Sequence, residues 1–289
     1  MERPWVVGVD GSDPAVRSLD WAADGAARHG ATLRIVHASL WERYEGGGQD
    51  RGPLRPTEQV LADDIVRSAA DRARRRHPHL GVSTEVLAAD PVTALLGEGR
   101  HASVLVLGRR GRGKMAGVLL GSVTLAVAGR APCPVVVVRG EPAAVAGAHA
   151  RVLLGVAKAA DAPDAVSFAV REAAARGCAL EAVHAWQHPA HEPGGPSLHR
   201  EALSRHEQDA WRLLDGLRDD VAGEQPEVPV HRLAVEGPAH KALMHRSTTA
   251  DVLVIGGHRR AHGEPHLGRV ARTALFHAAC PVAIVPWRG

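Results

Sequence analysis

Short, continuously apolar runs alternate along this chain with segments whose apolar positions recur at three and four. In the first half the runs are Trp5–Val9, Thr32–Ala38, Ser83–Ala88, Val104–Leu107 and Val135–Val138. In the second they are Val152–Val156, Leu180–Ala185, Val230–Val235, Val252–Ile255 and Val282–Val285. Runs of this length without polar alternation read as strands covered on both faces. Between them lie Ala-rich segments such as AVRSLDWAADGAARHG, an amphipathic helix pattern that stops at Gly30. Five strands with intervening helices in each half predict an α/β fold. Each half is expected to be a doubly wound parallel sheet with helices on both faces.

The two halves are copies of one another. Sliding the chain by 147 residues places WVVGVDG on VLLGVAK, Gly30 on Gly177, His37-Ala38 on His184-Ala185, and PCPV on ACPV. A period this long marks two whole domains rather than a solenoid. The expected domains are residues 1–140 and 151–289, with the joint in RGEPAAVAGAHA, Arg139 to Ala150. Two Gly- and Pro-rich stretches, Glu45–Pro56 and Gln187–Ser197, follow the second strand of each half and read as loops at the rim of the sheet.

Composition adds mostly exclusions. The 289 residues are 45% hydrophobic and 23% charged, which is ordinary for a globular chain, and the length suits two domains. No apolar run reaches the roughly 18 residues of a membrane helix, and MERPWVVGVDG lacks the features of a secretory signal, so a cytoplasmic protein without membrane contact is expected. The pI near 9.0 accompanies a net charge of only +3, with arginines interleaved among Asp and Glu, as on solvated helix faces. Nucleic acid is therefore not the expected partner. Cys133, Cys178 and Cys280 lie far apart between apolar residues and read as buried small hydrophobes.

The chemistry concentrates after the fourth strand of the first half, in VLVLGRRGRGKMAGVLLGSV. Parallel open sheets bind ligands beyond the carboxyl ends of their strands. Gly108, Gly111 and Gly121 are expected to take positive φ and to let a ligand approach the backbone. Gly121-Ser122 opens a helix, Val123–Gly129, whose N–H groups and serine hydroxyl suit a phosphate. Arg109, Arg112 and Lys114 add positive charge. The stretch GRRGRGKM misses the P-loop pattern at its last position, where Met115 cannot ligate Mg²⁺, and it follows the fourth strand rather than the first. The dinucleotide fingerprint is absent from VGVDGSDP.

The spacing G-x2-G-x9-G-[ST], met by Gly108, Gly111, Gly121 and Ser122, resembles the nucleotide signature of the universal stress protein family. The resemblance extends to VVGVDGS, VHA, APCPVVVV and the tandem arrangement, covering nearly the whole chain. It implies strand order 3-2-1-4-5 and an adenine nucleotide (ATP, or ADP or AMP, with accompanying Mg²⁺) in the crevice between strands 1 and 4. Asp10 then matches the carboxylate that accepts from the ribose hydroxyls. Ala38 matches the backbone position that meets the adenine edge, and Gly108 approaches the ribose. Gly111, Gly121, Ser122 and the Val123 amide surround the phosphates, with Arg109 among the binding residues. It further implies a stress-response regulator that changes conformation and protein partner with bound nucleotide. The fifth strands are expected to join the halves as an internal pseudo-dimer, with a homodimer as an extension. Two other readings stand beside it: a slow ATP-hydrolysing enzyme or phosphotransferase on the same fold, and a partner-binding module with a vestigial pocket.

The second half departs from the signature. Its loop reads VLVIGGHRRAHGEPHLGRV, with Arg259 at the second glycine, Arg269 at the serine and Ala157 at the carboxylate. Arginine at a position requiring positive φ costs about 1–2 kcal/mol, and a lost hydrogen bond to a charged group about 1.5–3 kcal/mol. Those losses reach the roughly 2.7 kcal/mol of a hundredfold affinity difference. Nucleotide is therefore expected in the first half alone. His258, His262 and His266 recur at four, but Gly263 and Pro265 argue for a loop, so no metal site is expected. His37 and His184 are expected to support the fold. Neither a nucleophile–base motif nor a carboxylate pair is evident, leaving no catalytic residue to assign. Asp13 is expected to cap the helix that begins at Pro14.

Overall fold

A computed structural model describes residues 3–39, 57–111, 120–157, 163–187, 196–259 and 265–287. The chain divides into two compact units, Met1–Val138 and Arg139–Gly289.

The first unit runs β1 (Trp5–Gly8), α1 (Asp13–Arg28), β2 (Leu33–Ala38), α2 (Thr57–Arg76) and β3 (Val82–Leu87). It continues through α3 (Pro91–Gly99), β4 (Val104–Gly108), α4 (Ser122–Arg130) and β5 (Val135–Val138). Its sheet has the order β3-β2-β1-β4-β5, with parallel pairings throughout. The direction of winding reverses between β1 and β4, which opens a crevice at the carboxyl ends of those strands.

The second unit repeats this plan after a short helix, α5 (Pro142–Val145). It comprises β6 (Arg151–Val156), α6 (Pro163–Arg176), β7 (Ala179–Trp186), α7 (Pro196–Glu224), β8 (Val230–Glu236) and α8 (Ala239–Arg246). There follow β9 (Val252–Gly256), two-residue strands β10 (His258–Arg259) and β11 (Pro265–His266), α9 (Arg269–His277) and β12 (Val282–Val285). The large strands pair in parallel in the order β8-β7-β6-β9-β12. Observed strands differ from the apolar runs by at most one residue at either end. Backbone pairing continues past the last large side chain, as at Gly108 and Gly256. In place of the loop expected after β9, β10 and β11 form an antiparallel pair, with His258 opposite His266.

Burial follows the period of each element. Helix α1 turns Ala15, Leu19, Ala22, Ala23 and Ala26 inward. On its outer face Asp20 and Asp24 receive Arg72 and Arg76 of α2. Val135 to Val138 are all buried, each burial stabilising the fold by about 1.5–3 kcal/mol. Gly30 at φ +63° and Gly177 at φ +60° end the repeat-equivalent helices α1 and α6 in the left-handed conformation that glycine adopts without strain. The cap of α1 corrects the expectation for Asp13. Ser12, extended at φ −83°, is the N-cap and accepts from the Ala15 N–H, while Asp13 is already helical. The three cysteines are buried and form no disulfide. Burial pushes the Cys280 thiol up to about 12. Among the described residues no helix is long and apolar enough to cross a membrane.

Candidate functional site

A cavity of about 620 Å³ opens at the carboxyl ends of β1 and β4 in the first unit. One part of its wall is apolar: Val9 beyond β1, Val36 of β2, Leu95 of α3, Leu107 of β4 and Leu125 of α4. The other part is polar and consists of Asp10, Arg110, Gly111, Gly121, Ser122 and Thr124. Its volume falls within the roughly 300–1,000 Å³ usual for small-molecule sites, and an apolar slot with a few placed polar groups is the usual composition.

Each wall follows from local sequence. Gly8 and its repeat-equivalent Gly155 each lie against a helix leucine: a Cβ on Gly8 would stand 3.0 Å from Leu95 of α3 and 2.9 Å from Leu107 of the neighbouring β4, and one on Gly155 2.9 Å from Leu243 of α8. Glycine there lets the helix close on the sheet. Thr124 Oγ1 donates to the Gly108 carbonyl at 2.8 Å, and the Gly121 N–H donates to the Arg109 carbonyl at 2.8 Å. These two bonds tie the start of α4 to the end of β4. Gly121 is the N-cap of α4 and supplies no side-chain cap. The first turn of a helix has N–H groups without intrahelical partners, and here that turn borders the cavity. His37 is held through Nδ1 by the Val9 carbonyl at 2.7 Å, and His184 repeats this with Val156 at 2.9 Å. The histidines brace β1 to β2 and β6 to β7.

Seven of the eight residues singled out in the sequence line this one cavity: Asp10, Ala38, Gly108, Gly111, Gly121, Ser122 and Val123. Arg109 is not part of the lining; its neighbour Arg110 is, and Arg109 enters through its carbonyl bond to Gly121. Arg112 and Lys114 lie outside the described residues. Sequence reading missed Thr124, because its role is a bond to a strand sixteen residues earlier. The serine of VGVDGS was missed as a partner of Asp10, although a hydroxyl two residues after an Asp is a recognisable turn signal.

The expectation of positive φ at the loop glycines is overturned. Among the described residues the glycines with positive φ are Gly11, Gly30, Gly140, Gly147, Gly177 and Gly237, with none of Gly108, Gly111 or Gly121 among them. Space is what constrains two of the three. A Cβ on Gly108 would stand 2.9 Å from the Pro14 carbonyl oxygen, and one on Gly111 would overlap Asp10 Oδ2. Gly121 has room for a Cβ, with nothing closer than 3.6 Å. The strain assigned to Arg259 in the second copy therefore does not follow from glycine geometry at Gly111. In that copy Ala157 replaces the carboxylate, so the group that demands glycine is gone as well. Among the described residues no cluster of three metal-ligating side chains occurs.

Residues 1–139 and 149–286 each match the model of the Universal stress protein family. A universal stress protein of Mycobacterium tuberculosis (strain H37Rv) is 32% identical over 296 residues, covering 96% of this chain and 95% of the relative. One from Mycolicibacterium smegmatis is 29% identical over 294 residues, covering 97% and 96%. The crystal structure of a universal stress protein from Archaeoglobus fulgidus shares the fold, with a TM-score of 0.70, 18% identity, and coverage of 99% and 98%. The chain, with two matching domains in tandem, belongs to the universal stress protein family.

Proposed function

We propose that the first unit binds an adenine nucleotide, ATP or its di- or monophosphate, and that the protein is a nucleotide-dependent regulator of a stress response. In this reading the base takes the apolar slot beside Ala38, and the ribose meets Asp10 and Gly108. The phosphates meet Gly111, Gly121, Ser122 and the Val123 amide. The observation that carries it is the meeting, in one cavity, of an apolar wall, a carboxylate and an uncapped helix N-terminus. An anion at such a terminus gains from both the N–H groups and the helix dipole. A magnesium ion accompanying the nucleotide would find an oxygen donor in Ser122, with the phosphates supplying most of its ligands. Bound nucleotide would favour one conformation of the protein, and a protein partner would read that conformation.

Equilibrium titration of the full chain with ATP, ADP and AMP tests the reading. Saturable binding is expected, and Asp10→Ala should weaken it about tenfold or more, as loss of a hydrogen bond to a charged group implies. Absence of saturable binding by all three nucleotides would sink it.

A further inference from the structure

We propose that Ser12 is a positioning residue for the nucleotide site, setting the orientation of Asp10 and with it the preference for ribose over deoxyribose. This rests on the adenine-nucleotide reading above. Ser12 binds one oxygen of the carboxylate twice: its N–H donates to Asp10 Oδ1 at 3.0 Å and its hydroxyl donates to the same atom at 2.6 Å. The other oxygen, Oδ2, is directed at Gly111 across the cavity mouth. The intervening Gly11 has φ +78°, the left-handed conformation that folds the Asp-Gly-Ser turn back on itself. Ser12 thus holds Oδ1, Oδ2 lies beside Gly111, and both Asp10 and Gly111 line the cavity.

The anchor itself is firm. Ser12 is the N-cap of α1, and its hydroxyl also accepts from the Ala15 N–H. Helix α1 is packed through Ala15, Leu19 and Ala22, all buried. A carboxylate tied to this helix start has lost its rotamer freedom before ligand arrives, so binding need not order it. The second copy is consistent with a paired function. The 147-residue offset places Ala157 at Asp10 and Ala159 at Ser12, so the carboxylate and its hydroxyl partner are both replaced by alanine.

The test compares ATP with 2′-deoxy-ATP and 2′,3′-dideoxy-ATP by calorimetric titration of the full chain. Ser12→Ala should weaken ATP about five- to tenfold, a fraction of the value of a hydrogen bond to a charged group, and leave the dideoxy analogue within about twofold. Discrimination between sugars should collapse, Ser12→Thr should restore it, and Ser12→Ala should change nothing further in an Asp10→Ala background. A merely structural cap would behave otherwise. It would lower the melting temperature in both backgrounds and weaken all three nucleotides equally, and that equal loss would overturn the proposal. Unchanged discrimination in Ser12→Ala would overturn it as well. If the unaltered protein binds none of the three nucleotides, the nucleotide reading fails first and this proposal falls with it.

Discussion

Gly25 illustrates how a single residue's meaning changes between chain and fold. It sits inside α1, where alanine would ordinarily be preferred by about 1 kcal/mol. A Cβ there would stand 2.6 Å from Trp5 Cη2, and Trp5 is only 3% exposed, its ring tilted against that of Trp21 with centroids 5.9 Å apart. The ring cannot move away. Overpacking of this kind costs about 1–3 kcal/mol or more, so the packing effect exceeds the propensity gain. Gly25→Ala should lower stability in urea denaturation; a stabilised variant would show that the ring has room. The offset pairs Trp5 with Val152 and Gly25 with Glu172, so where the aromatic is absent the helix carries a full side chain. Gly111 and Asp10 follow the same logic at the cavity. Each glycine is explained by a neighbour distant in sequence, which periodicity does not reveal.

At the scale of elements, the two copies hold a helix to the second strand with an ion pair of opposite polarity. In the first unit Arg34 of β2 donates through Nε to Glu98 of α3 at 2.6 Å. In the second, Glu181 of β7 accepts from Arg246 of α8 through Nη2 at 2.7 Å. Arg34 and Glu98 are 25% and 15% exposed in their side chains, so solvent screens the pair only in part. Glu98→Arg, which places two guanidinium groups together, should cost about 1–2 kcal/mol, and Arg34→Glu combined with it should recover only part of the loss, because Arg34 also pairs with Glu85 of β3. Denaturant midpoints of the single and double variants decide this; additive losses would mean that the contact contributes little. The strands were legible from their apolar runs because burial on both faces imposes continuous hydrophobicity. The pairing of β10 with β11 was not, since His258, Arg259, Pro265 and His266 carry no apolar alternation and the ladder depends on backbone geometry. The α1 cap was misplaced by one residue for a related reason. Ser12 and Asp13 are both good capping types, and only the backbone dihedral tells which one is outside the helix.

At the scale of the whole molecule, duplication has left two copies of one fold with unequal loops. The first keeps Asp10, Ser12, Gly111 and Ser122; the second has Ala157, Ala159, Arg259 and Arg269. Titration of the full chain should therefore saturate at one nucleotide per chain, and two equivalent sites would contradict the asymmetry. Of the two costs that support the asymmetry, the structure removes strain at positive φ and leaves the missing carboxylate, to which the missing Ser12 anchor and the arginine at the helix start are added. Hydrophobic period and the 147-residue offset were enough to specify two doubly wound sheets. The glycine spacing picked out Gly108, Gly111, Gly121 and Ser122, while the family resemblance added Asp10, Ala38 and Val123 to the same cavity lining. These signals are local or repeated, so one dimension records them. Tertiary structure alone decided why the glycines are needed, that Arg110 rather than Arg109 meets the cavity, and that Ser12 holds Asp10. Those facts depend on which atoms approach within about 3 Å across the fold, where van der Waals repulsion and hydrogen-bond geometry discriminate most sharply.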